Sequence, residues 1–350
     1  MTQYRVIVVD DSAFMRNLIT NIISEENDFE IIYFAKNGKE AVDKVIELKP
    51  DIVTMDIEMP IMNGLQALQL IMEKQPTPVL MLSNFTDFGT AETIKALQYG
   101  AVDFIKKPSI ATSFNLHTND FPFIEKLKSA VKSNVKKQLP IFNQKSEKGI
   151  RVKSKGSDEF SHLVAIGTST GGPRALQQIL SALPGTFSAP LLIVQHMPPK
   201  FTKSLAERLN MLSSMKVVEA EHGQAIETST AYLAPGDWHM SVEKDFGKYK
   251  INLSKDKHRA GHRPSVDYLF ESLAPFKELE KHIVIMTGMG SDGAQGMKQL
   301  IQSGVSSTIA ESEESSIIFG MPRAAIELNE VRYILTLDKI ASKLIDLVVE

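Results

Sequence analysis

The first 125 residues alternate short apolar runs with longer amphipathic segments. The short runs are rich in Val, Ile and Phe, as buried strands are, and the longer segments repeat apolar residues at the i, i+3 and i+4 spacing of a helix with one buried face. This alternation predicts right-handed βαβ units around a parallel sheet. The predicted strands are Arg5–Val9, Glu30–Ala35, Ile52–Asp56, Val79–Ser83 and Val102–Ile105, and the clearest predicted helices are Lys39–Leu48 and Leu65–Lys74.

A second alternation of the same kind begins at Leu163. It predicts a second doubly wound α/β domain, with a sheet that is again parallel. Its predicted strands are Leu163–Ile166, Leu191–Gln195, Ala231–Ala234, Ile283–Thr287 and Ser307–Ile309. Its predicted helices are Arg174–Leu183, Phe201–Leu209, Ser265–Leu273, Ala294–Gln302 and Asp338–Val349.

Between these blocks the periodicity disappears, and residues 138–159 are mainly Lys, Ser and other polar residues with Gly, which is typical of a linker. We therefore expect a flavodoxin-like domain at residues 1–125, a helix end and basic linker at 126–160, and a Rossmann-like domain at 161–350. The fold class is α/β, with two doubly wound parallel-sheet domains joined by a polar linker.

Composition narrows the class of protein. The chain of 350 residues has no cysteine, which excludes disulfides, thiolate metal sites and cysteine nucleophiles. It has no apolar run of about 18 residues, and acidic residues follow the start too soon for a signal peptide, so we expect a cytoplasmic protein that is not inserted in a membrane. The three segments carry net charges of −8, +7 and −2. Neither large block offers the basic face that nucleic acid requires, and the basic segment is either a solvated connector or a docking element.

Acidic residues follow two predicted strands of the first block. Asp10 and Asp11 come after the first strand, and Asp56 ends the third. Ligands of open parallel sheets bind beyond the carboxyl ends of the strands, where three carboxylates would repel one another unless a hard cation such as Mg²⁺ lay among them. Ser83 and Lys107 follow neighbouring strands and would complete a phosphoryl site, with an aspartate able to act as nucleophile. Any one of these carboxylates alone is more often a helix cap or a surface residue.

The first block resembles the receiver domains of two-component response regulators over its whole length. The matching segments are VDDS at 9–12, DIVTMDIEMPIMNG at 51–64, MLS at 81–83 and KKP at 106–108. The resemblance implies that Asp56 is the phosphoacceptor and that a chemotaxis histidine kinase is the phosphodonor. It further implies a Mg²⁺ site and a set of residues that respond to the phosphoryl group. The metal residues would be Asp10, Asp11, Asp56 and the Glu58 carbonyl, and the responding residues would be Ser83, Lys107 and Phe104. Lys106 is the rival of Lys107, which the following proline favours.

Three glycine-rich or proline-rich turns follow strands of the second block, and each carries a residue with catalytic potential. Ser169 lies in GTSTGGP, His196 in QHMPP and Asp292 in TGMGSDG. A serine on a tight strand-to-helix turn has helix N–H groups nearby to bind an oxyanion. The first turn is not a Walker A loop, because no Lys-Ser or Lys-Thr follows the glycines. A plain glycine turn with a capping serine is the simplest alternative.

Two of these assignments have rivals. His239 and His262 compete with His196 as the base. The third turn also fits G-x-G-x-x-G, but Asp292 inside it would repel a pyrophosphate. Because all three turns follow parallel strands, their residues are expected to converge at one edge. Ser169 would then attack, His196 would transfer the proton, and Asp292 would orient the imidazole.

The second block resembles the catalytic domain of chemotaxis protein-glutamate methylesterases from about residue 161 to 347. The matching segments are AIGTSTGGP at 165–173, QHMPP at 195–199, LAPGDWHM at 233–240, HRPSVDYLF at 262–270, TGMGSDGAQGM at 287–297 and FGMPRAA at 319–325. The resemblance implies this triad, with Thr170 and the Met289 backbone stabilising the oxyanion, and it implies no cofactor for the esterase reaction. The expected function is hydrolysis of glutamyl methyl esters on the cytoplasmic helices of chemoreceptors, with deamidation of glutamines open. A non-catalytic, phosphorylation-dependent binding protein and a regulator with a DNA-binding output are the alternatives.

Overall fold

The computed structural model describes residues 3–83, 87–107, 123–135 and 157–349. The chain divides into two compact units, Met1–Phe142 and Asn143–Glu350. Residues 138–156 of the expected linker lie outside the described residues. None of the helices in the described ranges has both the length and the apolar character needed to cross a membrane.

The first unit is a five-stranded parallel sheet with strand order β2-β1-β3-β4-β5, flanked by helices. This is the flavodoxin-like order, and each of the five predicted strands ends within one residue of the observed one. The elements are β1 (Tyr4–Val9), α1 (Ala13–Ser24), β2 (Phe29–Ala35), α2 (Gly38–Leu48), β3 (Ile52–Asp56), α3 (Gly64–Lys74), β4 (Val79–Ser83), α4 (Asp87–Gln98), β5 (Asp103–Lys106) and α5 (Phe123–Val131). The central strands β3 and β4 are buried on both faces, which explains why both are mainly apolar rather than alternating.

The second unit contains a seven-stranded parallel sheet with strand order β14-β13-β12-β6-β7-β9-β8. Its strands are β6 (His162–Thr168), β7 (Leu191–Gln195), β8 (Lys216–Glu219), β9 (Thr230–Leu233), β12 (Glu280–Ile285), β13 (Ser307–Glu311) and β14 (Tyr333–Leu335). Its helices are α6 (Gly172–Ala182), α7 (Phe201–Leu212), α8 (Val266–Ser272), α9 (Ala294–Ser303), α10 (Met321–Ile326) and α11 (Leu337–Val349). Since β6 lies between β7 and β12, the strand order reverses there, and a crevice is expected at the carboxyl ends of these strands.

The sequence pattern missed several elements of this unit. The five predicted strands correspond to β6, β7, β9, β12 and β13, although β12 begins three residues earlier and ends two residues earlier than predicted. The short strands β8 and β14 at the sheet edges and an antiparallel hairpin, β10 (His239–Asp245) with β11 (Lys248–Ser254), were not predicted. The hairpin turn is Phe246-Gly247, with both residues at positive φ (46° and 82°). A turn of this kind is usually indicated by Asn-Gly or Asp-Gly in the sequence. Phe-Gly does not indicate one, so the hairpin was not predicted.

The hairpin supports the helix that leads into the crevice. Met240, Val242 and Ile251 on its apolar face belong to the same buried core as Leu269 and Phe270 of α8. Each of these five side chains is at most 6% exposed. The apolar contact fixes α8 against the sheet, so the backbone at the start of α8 has a defined position beside the strand ends.

Glu311 is an ionisable residue that is buried within the sheet of the second unit. Glu311 ends β13 and is fully buried. Its Oε2 accepts a hydrogen bond from the Thr287 backbone N–H at 2.8 Å, and its Oε1 accepts one from Ser315 Oγ at 2.9 Å. Burial raises the pKa of Glu311 to about 7, although both hydrogen bonds oppose the rise. The carboxyl therefore connects β13 to the turn after β12 and titrates near neutral pH.

We predict that Glu311→Gln changes how stability depends on pH. Folding raises the pKa of Glu311 from 4.5 to about 7, so the folded state retains a proton that the unfolded chain releases. Stability therefore falls as the pH rises between these values, by roughly 1–3 kcal/mol for this one group. Glutamine keeps an acceptor for Thr287 and does not titrate, so the variant should lose less stability between about pH 5 and about pH 8.

Thermal unfolding of the protein, followed by calorimetry at both pH values, measures this difference. Glu313→Gln is the matched control, because Glu313 is an exposed acid two residues away on the same segment. Parallel pH profiles for wild type and Glu311→Gln would show that Glu311 does not titrate in this range.

Candidate functional sites

The first unit brings three carboxylates together at the ends of β1 and β3. Asp10, Asp11 and Asp56 each offer an oxygen, and these oxygens lie within 4.8 Å of one another. Asp10 and Asp56 are buried, and Asp11 is exposed. An open cavity of about 480 Å³ adjoins the cluster, with Asp11 and Glu58 among its lining residues. Oxygen donors in this arrangement suit a hard divalent cation such as Mg²⁺.

Lys107 is the lysine that points at these carboxylates. Its Nζ lies 2.9 Å from Asp10 Oδ2 and 2.7 Å from Asp56 Oδ2. Lys106 is exposed, so the geometry separates the two adjacent lysines. Burial alone would lower the pKa of Lys107, but the charges of Asp56 and Asp10 outweigh it and raise the pKa. Lys107 therefore stays protonated between the two acids.

At Asp56, the effect of burial on the pKa is larger than the effect of the neighbouring charge. Burial raises its pKa to about 6, and the charge and hydrogen bond of Lys107 oppose the rise only in part. The backbone N–H of Glu58 also donates to this carboxylate. The ionised form of Asp56 is thus incompletely stabilised by the protein, and additional positive charge at the cluster would favour it.

The other two residues expected to respond to phosphorylation lie on β4 and β5. Ser83 ends β4 and is buried, and its Oγ accepts a hydrogen bond of 2.6 Å from Thr93 Oγ1 on α4. Phe104 on β5 is 4% exposed, and Lys126 Nζ lies 5.3 Å from the centroid of its ring. A change at Ser83 would therefore be transmitted directly to α4. The sequence had not indicated Thr93.

In the second unit, the turn after β6 holds Ser169 in place by its backbone. The Ser169 N–H donates to the Thr287 carbonyl at 3.0 Å, and its carbonyl accepts from Gly172 N–H at 2.8 Å and from Gln195 Nε2 at 3.0 Å. Gly171 has a φ of 80°, the left-handed region that favours glycine. A Cβ on Gly172 would lie 2.5 Å from Thr168 Oγ1 and 2.0 Å from Gln195 Oε1, so the tight turn requires glycine there as well.

His196 and Asp292 form a buried pair at the same strand ends. The distance between His196 Nε2 and Asp292 Oδ2 is 2.8 Å, and their side chains are 7% and 1% exposed. The other ring nitrogen, His196 Nδ1, is buried and has no hydrogen-bond partner among the residues that the structure describes. Within the described residues, Ser169 Oγ makes no hydrogen bond to this ring, so His196 Nδ1 remains available as an acceptor.

Asp292 accepts three more hydrogen bonds from the start of α8. Ser265 Oγ and the Asp267 N–H donate to Oδ1 at 2.8 and 3.0 Å, and the Val266 N–H donates to Oδ2 at 2.7 Å. Burial would raise the pKa of Asp292, but the bond from His196 and the backbone bonds outweigh it and hold the pKa well below its usual range. Asp292 is therefore a buried anion.

The turn after β12 passes directly against Ser169. A Cβ on Gly288 would lie 2.8 Å from Ser169 Cβ, so only glycine allows this approach. Thr287 Oγ1 donates to the Thr170 carbonyl at 2.8 Å, which joins the two turns. Met289 follows at once, with its side chain 37% exposed. Both residues expected to stabilise the oxyanion thus lie on the turns that border Ser169.

The two rival histidines occupy different environments. His239 is buried, with its Nδ1 accepting from the Ser265 N–H at 3.2 Å and its Nε2 lying 3.1 Å from the Lys257 carbonyl. Both ring nitrogens are thus engaged with the backbone, and His239 has a structural role. The ring of His262 stacks on that of His196, with centroids 3.8 Å apart. Of the three histidines, His196 is the one that binds Asp292.

Sequence reasoning missed two residues that support this arrangement. Gln195 Nε2 donates to the carbonyls of both Ser169 and His196, and so connects two of the turns. Ser265 caps α8 by accepting from the Tyr268 N–H and also donates to Asp292. The capping position of Ser265 before a helical pattern was the available signal. Nothing local to Gln195 indicates where its side chain points.

Comparisons with known proteins match both units. The family profile described as response regulator receiver domain matches residues 6–116, and the one described as CheB methylesterase matches residues 164–344. The chain is 47% identical over 356 residues to a protein-glutamate methylesterase/protein-glutamine glutaminase of Geobacillus kaustophilus, with 100% of both chains covered. It is 46% identical over 344 residues to a protein of the same name from Bacillus licheniformis, covering 97% of this chain and 96% of that protein.

A solved structure gives the same result for the second unit. The crystal structure of the Thermotoga maritima CheB methylesterase catalytic domain is 42% identical, with a TM-score of 0.53, and the match covers 54% of this chain and all of that domain. These findings confirm the two resemblances and the α/β fold class inferred from the sequence. The chain belongs to the CheB methylesterase family and carries a response regulator receiver domain ahead of its methylesterase domain.

Proposed function

We propose that this protein hydrolyses glutamyl methyl esters on the cytoplasmic helices of chemoreceptors, and that phosphorylation of its receiver domain controls the reaction. The observation that carries the proposal is the buried hydrogen bond between His196 and Asp292 beside the Ser169 turn. Relatives that match over the whole chain are named protein-glutamate methylesterase/protein-glutamine glutaminase. The products are glutamate and methanol.

The first half of the reaction forms an acyl-enzyme. Ser169 Oγ attacks the ester carbonyl carbon while His196 Nδ1, the ring nitrogen that does not bind Asp292, accepts its proton. Asp292 remains ionised, holds Nε2–H and stabilises the imidazolium that forms. The Met289 backbone and Thr170 stabilise the oxyanion. His196 then returns the proton to the methoxy group, which leaves as methanol.

Water completes the cycle by the same steps. It attacks the acyl-enzyme as His196 takes its proton, and Ser169 departs with that proton, leaving a glutamate side chain on the receptor. A glutamine side chain forms the same acyl-enzyme with ammonia as the leaving group. The domain thus supports deamidation through the same residues, as the names of its relatives state for those proteins.

Regulation begins with phosphoryl transfer from a chemotaxis histidine kinase to Asp56. Asp10, Asp11, Asp56 and the Glu58 carbonyl would hold Mg²⁺, in agreement with the oxygen donors at the cluster. When bound, Mg²⁺ supplies positive charge that favours ionised Asp56 and neutralises the transferred group. Lys107 contacts the phosphoryl oxygens, and Ser83 and Phe104 change position in response.

We predict that Ser169→Ala abolishes methanol release from methylated receptor membranes, with a fall in kcat of at least about 10³-fold. The substitution deletes one oxygen and leaves the backbone bonds of the turn in place. Ser181→Ala is the matched control, because Ser181 lies exposed on α6, the helix that follows the turn. Substantial turnover by Ser169→Ala would show that another residue is the nucleophile.

We predict that Asp292→Asn lowers kcat by roughly 10²–10⁴-fold, because His196 loses the anion that orients and stabilises its protonated form. Asparagine keeps the size of the side chain but presents only one acceptor oxygen to the donors at the start of α8. Methanol release under saturating receptor measures the effect. Asp245→Asn, at the exposed end of β10, is the control. Wild-type kcat in Asp292→Asn would mean that the turn after β12 has another purpose.

We predict that the receiver inhibits the resting enzyme. A fragment of residues 150–350 should release methanol faster than the unphosphorylated full chain, by about 5–150-fold if the coupling is about 1–3 kcal/mol. Asp56→Asn should hold the full chain at its resting rate with or without a small phosphodonor.

Asp43→Asn, an exposed acid on α2, should respond to the phosphodonor like wild type and serves as the control. A fragment no faster than the resting full chain would contradict inhibition. It would indicate instead that the phosphorylated receiver stimulates the catalytic domain.

A further inference from the structure

A second histidine ring lies flat against the ring of His196. The centroids of His262 and His196 are 3.8 Å apart, and the two ring planes differ by 8°. Asp292 binds His196 only at Nε2, on one edge of its ring. A hydrogen bond at one edge leaves the ring able to rock about that bond, whereas a parallel ring against its face restricts this motion.

The backbone holds His262 in this position. Arg259 and His262 exchange both backbone hydrogen bonds, at 3.0 and 2.8 Å, across a two-residue turn. Ala260 and Gly261 in the turn have positive φ values of 48° and 82°. Arg259 is in turn bound to Glu271 on α8 by two hydrogen bonds of 2.7 and 2.8 Å. The turn is therefore fixed to α8 rather than free in solvent.

The same stretch of chain also holds Asp292. Three residues after His262, Ser265 donates to Asp292 Oδ1, and the Val266 and Asp267 N–H groups follow. Arg263, between the two, donates from Nε to Asp237 at 3.0 Å. One continuous segment, residues 259–267, thus touches both the face of the histidine and the carboxylate that binds its edge.

The electrostatic state of His262 suits this contact. Burial lowers its pKa to about 4, and the neighbouring His196 lowers it as well. His262 is therefore neutral at physiological pH. A neutral ring can stay in contact while His196 gains a proton during the reaction, whereas a charged side chain would repel the imidazolium.

We propose that His262 is a positioning residue, whose ring holds His196 by face-to-face stacking in the plane where Nε2 binds Asp292 and Nδ1 is free to take the proton of Ser169. The proposal rests on the esterase function proposed above. The face of the His262 ring performs this role, and the ring nitrogens are not needed for it. An aromatic ring without nitrogens should therefore replace it, and an aliphatic side chain should not.

Three replacements of His262 separate the ring from the nitrogens. His262→Ala removes the ring, His262→Leu fills the space without a ring, and His262→Phe restores an aromatic face. In the full chain we expect kcat for methanol release to fall about tenfold in the Ala and Leu variants, with KM within about twofold of wild type. His262→Phe should retain kcat within about threefold. His258→Ala should match wild type, since His258 is an exposed histidine directly before the segment of residues 259–267.

Nuclear magnetic resonance of histidine-labelled protein tests the stacking independently of activity. In wild type, the ring current of His262 should shift the carbon-bound ring protons of His196 upfield, and His196→Gln identifies these signals. We expect the shift to persist in His262→Phe and to disappear in His262→Ala and His262→Leu. If wild type released no methanol, the proposed function would fail, and these spectra would still decide whether His262 stacks on His196.

Two results would overturn the proposal. One is an unchanged kcat and unchanged His196 signals in His262→Ala or His262→Leu. The other is a His262→Phe variant that keeps the upfield shift but is as slow as His262→Ala, which would assign the effect to the ring nitrogens of His262.

Discussion

Asp292 is a buried anion, and the geometry of the catalytic unit is organised around keeping it charged. Removing a carboxylate from water costs several kcal/mol unless hydrogen bonds replace the lost hydration. Four donors do so here, from the His196 ring, the Ser265 hydroxyl and the N–H groups of Val266 and Asp267. Three of the four come from the start of α8, so the position of that helix determines whether the anion is stable.

The position of α8 depends in turn on the core beneath it. The β10–β11 hairpin packs its apolar face against Leu269 and Phe270, and this contact joins a peripheral element to the helix that binds the Asp292 carboxylate. On the opposite side, Gly167 in β6 leaves room for the Val266 side chain, because a Cβ there would lie 2.2 Å from Val266 Cγ1. Apolar packing thus positions the hydrogen-bond donors that keep Asp292 ionised, although none of these apolar groups takes part in the chemistry.

The convergence of the three turns could be predicted from the sequence, because it follows from general rules. Ser169, His196 and Asp292 each follow a parallel strand, and the carboxyl ends of parallel strands share one edge of the sheet. Lys107 was likewise favoured over Lys106 from its place before proline, and the geometry agrees. The residues that support these groups were harder to predict from the sequence. Their contacts join segments far apart in the chain, as Gln195 and Ser169 show.

Glu311 and His262 illustrate this limit. The sequence pattern does not indicate that Glu311 is buried, because its place against the Thr287 N–H depends on how β13 pairs with β12. His262 was visible as a rival base, but its stacking on His196 depends on a two-residue turn that contains alanine at positive φ. Alanine is uncommon in that conformation, so the turn could not be expected from the residue types alone.

Each domain buries an aspartate near the carboxyl ends of its parallel strands, and the two aspartates have opposite properties. Asp56 and Asp292 are both buried at the carboxyl ends of parallel strands. Burial raises the pKa of Asp56 to about 6, with Lys107 and the Glu58 N–H as its opposing partners. The four donors around Asp292 reverse that effect and lower its pKa. In the proposed mechanism, Asp56 needs a bound cation before it can act as a nucleophile. Asp292 needs nothing beyond the protein, because its task is to remain charged while His196 moves the proton.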